Sequence, residues 1–102
     1  MEIALLGDRF SAQEAKAAGM INFVVPSAEL SSETDALAAR LAAGPTHVYG
    51  NTKALFYRSL ESEFESQLQA EAEYFADCAS RADVREGVTA FVEKRSPNFT
   101  GQ

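Results

Sequence analysis

The 102-residue sequence has no tryptophan, one cysteine and one histidine. The single cysteine, Cys78, excludes an intrachain disulfide and a thiolate metal cluster, and it fits a reducing compartment. On a helix it reads as a small apolar residue. HExxH, EF-hand, GxxxxGK[ST] and GxGxxG patterns are all missing, which excludes metal and nucleotide sites of the usual sequence types. No apolar run approaches the roughly 18 to 20 residues needed to span a bilayer. The opening Met1-Glu2-Ile3-Ala4-Leu5-Leu6 lacks the basic flank of a signal peptide. The expectation is a cytoplasmic protein with no membrane and no metal partner.

Bases are scarce beside acids, nine Lys and Arg against fifteen Asp and Glu, for a net charge of -6. Phosphate neutralisation needs clustered bases, so nucleic acid and anionic membranes are excluded as main partners. From Glu61 to Asp77 the acids run with no base between them, whereas Arg81, Arg85, Lys94 and Arg95 come later. The C-terminal fifth is therefore the only anion-facing region expected.

What is present is 46% hydrophobic and 24% charged residues, an ordinary balance for one globular domain over 1–102. Domains of this size bury only roughly 60–70% of the surface their unfolded chains expose. A helical chain without tryptophan is thus expected to draw stability from a partner or from its own copies.

Residues 1–6 read as the end of a helix stopped by Gly7. Ser11-Ala12-Gln13-Glu14 is a capping box that opens a short helix, which stops at Gly19. Ile21-Asn22-Phe23-Val24-Val25, closed by Pro26, is the one strand-like segment. Having no pairing partner, it is expected as extended peptide or as an edge strand completed elsewhere. Three longer amphipathic helices follow. Leu30, Thr34, Leu37 and Leu41 share a face between Ala28 and Ala43, and Gly44-Pro45 ends that helix. Thr46 to Leu60 carries a Tyr49, Phe56, Leu60 stripe and contains Gly50, which suggests a close helix crossing. Ser62 with Glu65 suggests a second capping box before Phe64, Leu68, Ala72, Phe75 and Ala79, with the acids on the outer face. Ser80 with Asp83 suggests a cap for a last helix with a Val84, Val88, Phe91 seam. Residues 96–102 are expected as an irregular tail. The fold class is mainly α, bundle-like, with at most one short strand.

Catalytic groups are few. His47 follows the Thr46 cap position, where the helix dipole disfavours its charged form, and a capping or surface role is expected. The acids between Glu61 and Asp77 scatter around a helix with no apolar pocket to shift a pKa, so a solvated face is expected. No catalytic residue is assigned. The most informative stretch is Glu86 to Arg95, where Phe91 and Lys94 share a face at a helix C-terminus. An aromatic beside an ammonium can pack on a purine and hold a phosphate; equally, the pair can be a core phenylalanine and a lysine favoured by the helix dipole.

The segment Met1 to Pro26 resembles the stretch that follows the catalytic core in the enoyl-CoA hydratase/isomerase (crotonase) family. Leu41-Ala42-Ala43-Gly44-Pro45, Asn51-Thr52-Lys53, Arg85-Glu86-Gly87-Val88 and Phe91 through Phe99 agree with it in order. The resemblance covers the chain but only the C-terminal part of a family member. It implies the helical region of the crotonase fold, which packs on a ββα core as a lid and supplies oligomer contacts. It also implies acyl-CoA thioester substrates whose enolate oxygen is held by two backbone amides while acidic side chains move protons. Those amides and acids lie upstream of the position matching Met1, so none is carried over and the isolated chain is expected to be inactive. No separate cofactor is expected, since CoA belongs to the substrate. Phe91 and Lys94 match the family's FxxK motif, which implies substrate-binding contact with the adenine and phosphate end of CoA. Implied partners are acyl-CoA and CoA, further copies of the chain, or crotonase-family subunits. A non-catalytic, self-associating or subunit-docking helical module is the alternative, and a bundle unrelated to CoA the third reading.

Overall fold

Glycines end the first two helices because each must leave the helix through a left-handed residue. The computed structural model describes residues 2–102. Helix α1, Glu2–Leu6, closes at Gly7, whose φ is 69° and whose amide donates to the Ile3 carbonyl at 3.2 Å. Met1, the remaining residue of the expected 1–6 helix end, lies outside the described residues. Helix α2, Ala12–Ala17, has the expected capping box: the Glu14 amide donates to Ser11 Oγ, and the Ser11 amide donates to the Glu14 carboxylate. At its other end the Gly19 amide donates to Lys16 O and the Met20 amide to Ala15 O, the paired bonds of a Schellman motif with Gly19 at φ 72°.

Residues 21–25 are not a strand, and no strand occurs among the described residues. The β-branched composition is overridden because no second strand is available to take its amides. A single turn of 3-10 helix, Ser27–Glu29, leads into α3, Leu30–Ala42. After Gly44-Pro45 come α4 (Thr46–Ser59), α5 (Phe64–Ala79) and α6 (Ala82–Glu93). The six α-helices among the described residues fit the helical class expected. The chain divides into two compact units, Met1–Asp35 and Ala36–Gln102, with the division inside α3. In the second unit α5 packs on both α4 and α6.

Three expected caps are displaced by one residue. Glu63, with extended backbone at φ -66° and ψ 153°, is the N-cap of α5, so Ser62 falls outside the position from which a hydroxyl could reach the third helical amide. Arg81 is the N-cap of α6. Only Ser80 and Arg81 separate α5 from α6, and Ser80 is committed to the first of them: its backbone is αR and its hydroxyl donates back to the Asp77 carbonyl at 2.7 Å. Pro45, not Thr46, occupies the N-cap of α4, with no side-chain cap bond. Gly50 is not a helix crossing, since a Cβ there would meet nothing within 4 Å.

Packing inside the chain rests on small residues. Ala15, Ala70 and Ala90 are the buried hydrophobics among the described residues. The large apolar side chains of the expected stripes remain exposed: Phe56 by 72%, Leu60 by 80%, Phe64 by 71% and Phe75 by 76%. Their spacing is amphipathic as expected, but nothing among the described residues covers them. No helix among the described residues is long and apolar enough to cross a membrane.

Candidate functional site

Phe91 ends up on the last turn of α6 with 84% of its surface exposed, so the core reading of this residue fails within the chain. Lys94 is exposed and caps the helix in the left-handed conformation, at φ 54°. The Lys94 amide donates to Phe91 O and the Arg95 amide to Ala90 O at 3.0 Å, a second Schellman motif with lysine where glycine is favoured. The backbone thus turns sharply at Lys94 and starts the tail.

That tail is irregular but fastened. Arg95 grips the Glu86 carboxylate with both terminal nitrogens, at 2.6 and 2.9 Å, and its Nε donates to Glu93. Hydrogen bonds from Arg95, then the Asn98 amide, hold the Glu86 carboxyl down at about 2. Asp83, 3% exposed, accepts the Thr100 amide at 2.7 Å and the Gly101 amide at 2.8 Å, and the Asp83 amide donates to Gln102 O. These bonds, the Thr100 amide foremost, lower the Asp83 pKa from its ordinary value. Gly101 has φ 80°, and a Cβ there would lie 2.8 Å from Thr46 Oγ1, so both backbone and space demand glycine.

A second polar cluster joins α4 to α5. His47 and Asn51 lie four residues apart on α4, and Asp77 and Cys78 sit near the end of α5. His47 Nε2 is in hydrogen-bond contact with Asp77 Oδ2. The Asn51 amide nitrogen lies 2.8 Å from Asp77 Oδ2, 3.3 Å from Cys78 Sγ and 3.4 Å from His47 Nε2. Arg81 reaches the other Asp77 oxygen at 3.0 Å. His47, then Asn51 and Arg81, hold the Asp77 carboxyl well below the usual carboxylate range. The expectations of a capping or surface role for His47 and of a plainly solvated Asp77 are corrected here: both side chains are only partly exposed, 27% and 40%, and they pair. Thirty residues separate them, so no local motif could announce the pair; the available signals were the i,i+4 spacings of His47 with Asn51 and of Asp77 with Arg81.

A separate open depression of about 220 Å³ between α4 and α5 is lined by Thr52, Leu55, Phe56, Ser59, Gln67 and Glu71. Gln67 Nε2 reaches Glu71 at 3.3 Å, and Gln67 Oε1 is buried without a partner. It contains Phe56 of the α4 stripe but neither Phe91 nor Lys94.

Residues 1–102 match the family model described as enoyl-CoA hydratase/isomerase. The chain is 40% identical over its whole length to the 1,2-epoxyphenylacetyl-CoA isomerase of Escherichia coli K12, covering 39% of that protein. It is 38% identical over its whole length to a Rhodobacter capsulatus protein named "Probable enoyl-CoA hydratase", covering 40% of it. Its fold superposes on an enoyl-CoA hydratase crystal structure from Mycobacterium marinum with a TM-score of 0.89 at 30% identity, covering all of this chain and 40% of that one. The chain thus spans about two-fifths of the length of the relatives it matches. Its helices form a helical region of the crotonase fold. By sequence along its full length and by the superposition of its helices, the chain belongs to the enoyl-CoA hydratase/isomerase family.

Proposed function

We propose that this chain is the C-terminal helical lid and oligomerisation region of an enzyme acting on acyl-CoA thioesters, and that it is inactive without the rest of the active site. The observation that carries this reading is the set of large apolar side chains on α4, α5 and α6 left uncovered, Phe56, Phe64, Phe75 and Phe91 among them. Such faces fit cover by other protein surface.

Within that reading Phe91 and Lys94 hold the distal end of CoA. The exposed ring stacks on adenine, and the ammonium pairs with a phosphate. Lysine in a left-handed cap costs on the order of 1 kcal/mol or more against glycine, which favours a functional reason for its side chain. Apolar cover over the thioester would exclude water from it. The lone thiol of Cys78 accords with the cytoplasmic placement that belongs to the same proposal.

Turnover assays with a short-chain 2-enoyl-CoA test the inactivity: the purified chain is expected to give background rates, and turnover well above background without a partner contradicts the reading. CoA titration followed by NMR is expected to move Phe91 and Lys94 resonances, with both Phe91→Ala and Lys94→Ala weakening the response. The same exposed faces support the alternative of a non-catalytic, self-associating or subunit-docking module. Light scattering separates it: a strict monomer at high concentration that ignores crotonase-family subunits removes that alternative.

A further inference from the structure

We infer that Glu86 is a positioning residue for the CoA contact: its carboxylate holds Arg95 and the start of the tail, and so keeps Lys94 in the left-handed backbone from which its ammonium meets the phosphate. This rests on the reading of Phe91 and Lys94 as the pair that holds CoA. A Schellman cap needs a left-handed residue at its turn, and the residue after it commonly packs back on the helix through an apolar side chain. Here the turn residue is Lys94, at φ 54°, the one non-glycine residue with positive φ among the described residues. The residue after it is Arg95, whose amide donates to Ala90 O. Its return contact is made by a guanidinium on carboxylates rather than by apolar packing.

Arg95 reaches back nine residues, and its two terminal nitrogens donate to the two Glu86 oxygens at 2.6 and 2.9 Å. Its Nε donates to Glu93 at 2.6 Å, so two acids of α6 fix the guanidinium in one orientation. Glu86 Oε1 also accepts the Asn98 amide at 2.8 Å. One carboxylate therefore fastens the chain both one residue and four residues beyond Lys94. The Glu86 side chain is 25% exposed, and the pairing is bidentate, which sets it apart from the open surface pairs that contribute little. Phe99 lies against Gly87, 3.5 Å from where a Cβ would stand, so the tail returns over the same turn of α6. Asp83 holds only the far end of the tail, at Thr100 and Gly101, whereas Glu86 spans the turn itself. Without Glu86, Lys94 relaxes toward right-handed backbone, and CoA has to select the left-handed minority.

NMR titration with CoA of the full chain and of Glu86→Ala tests this, with far-UV circular dichroism as the measure of folding. The sign of the change separates positioning from charge. Removing a carboxylate near a phosphate site lowers repulsion and by charge alone tightens CoA binding. Positioning instead requires Glu86→Ala to weaken binding, by a factor on the order of five. In the ligand-free variant the Lys94 Cα shift and amide–Hα coupling should leave their left-handed values. Glu86→Gln, which keeps one acceptor oxygen, should fall between the two, and it decides the question if Glu86→Ala loses its helical signal. Unchanged or tighter CoA binding in a folded variant overturns the proposal, as do weaker binding with Lys94 still left-handed and loss of helix in both variants. Those outcomes leave the CoA reading standing, whereas no response at Phe91 and Lys94 in the unaltered chain overturns that reading and the positioning role with it.

Discussion

Two polar junctions hold the second unit together, and they differ in where their donors come from. At the tail, Asp83 and Glu86 face only donors: the Thr100, Gly101 and Asn98 amides and the Arg95 guanidinium. Between α4 and α5, Asp77 is held by side chains alone, those of His47, Asn51 and Arg81, and the Asn51 amide also reaches Cys78 Sγ. A carboxylate matched by donors of its own chain is a fastener. Where side chains of two helices share the donors, the same bonds fix how the helices pack.

The largest effect is expected at the fastener. Asp83→Ala removes the acceptor for two tail amides and leaves them without a partner. Hydrogen exchange at Thr100 and Gly101 should accelerate to the rate of an open chain, and the melting temperature should fall by several degrees. Protection that survives the substitution would mean the tail is held some other way.

Acid should then separate the junctions. Glu86 has a depressed pKa, so its contribution is full above its ordinary value of 4.5 and is lost as pH falls toward about 2. Asp77, held by His47 first, is also depressed and should stay ionised further into acid. NMR titration should therefore show the Asn98 amide shifting before the Asn51 side-chain amide. The reverse order would reverse the ranking of the two junctions.

A smaller effect of opposite sign is expected at the hinge between helix and tail. Lys94→Gly relieves the left-handed backbone and should stabilise the chain by about 1 kcal/mol in denaturant unfolding while weakening CoA contact. A loss of stability would show that the lysine side chain supports the fold. Smallest of all, Cys78→Ser should leave the melting temperature nearly unchanged, since the thiol makes only one weak hydrogen bond, from Asn51.

Much of the fold is legible in the sequence because helix ends are local. Ser11 with Glu14, Gly7 and Gly19 act within five residues of themselves, and each does what its spacing implies. The displaced cap at Ser80 shows the limit of that logic: a hydroxyl can serve the helix before it as readily as the one after. Residues 21–25 have strand composition, but a strand also needs a neighbour. The candidate site was legible only in part. Phe91 and Lys94 stood out as an i,i+3 pair, whereas the cluster at His47 depends on α4 and α5 packing across thirty residues. The tail looked featureless because its order comes from carboxylates on α6 rather than from its own sequence.

The contrast between the two junctions is tested most directly by hydrogen exchange on three chains: the unaltered protein, Asp83→Ala and Asp77→Ala. Asp83→Ala should lose protection at the Thr100 and Gly101 amides and keep it across α4 and α5, whereas Asp77→Ala should keep the tail protected and lower protection across α4 and α5. Tail protection that is lost in Asp77→Ala, or kept in Asp83→Ala, would contradict the account.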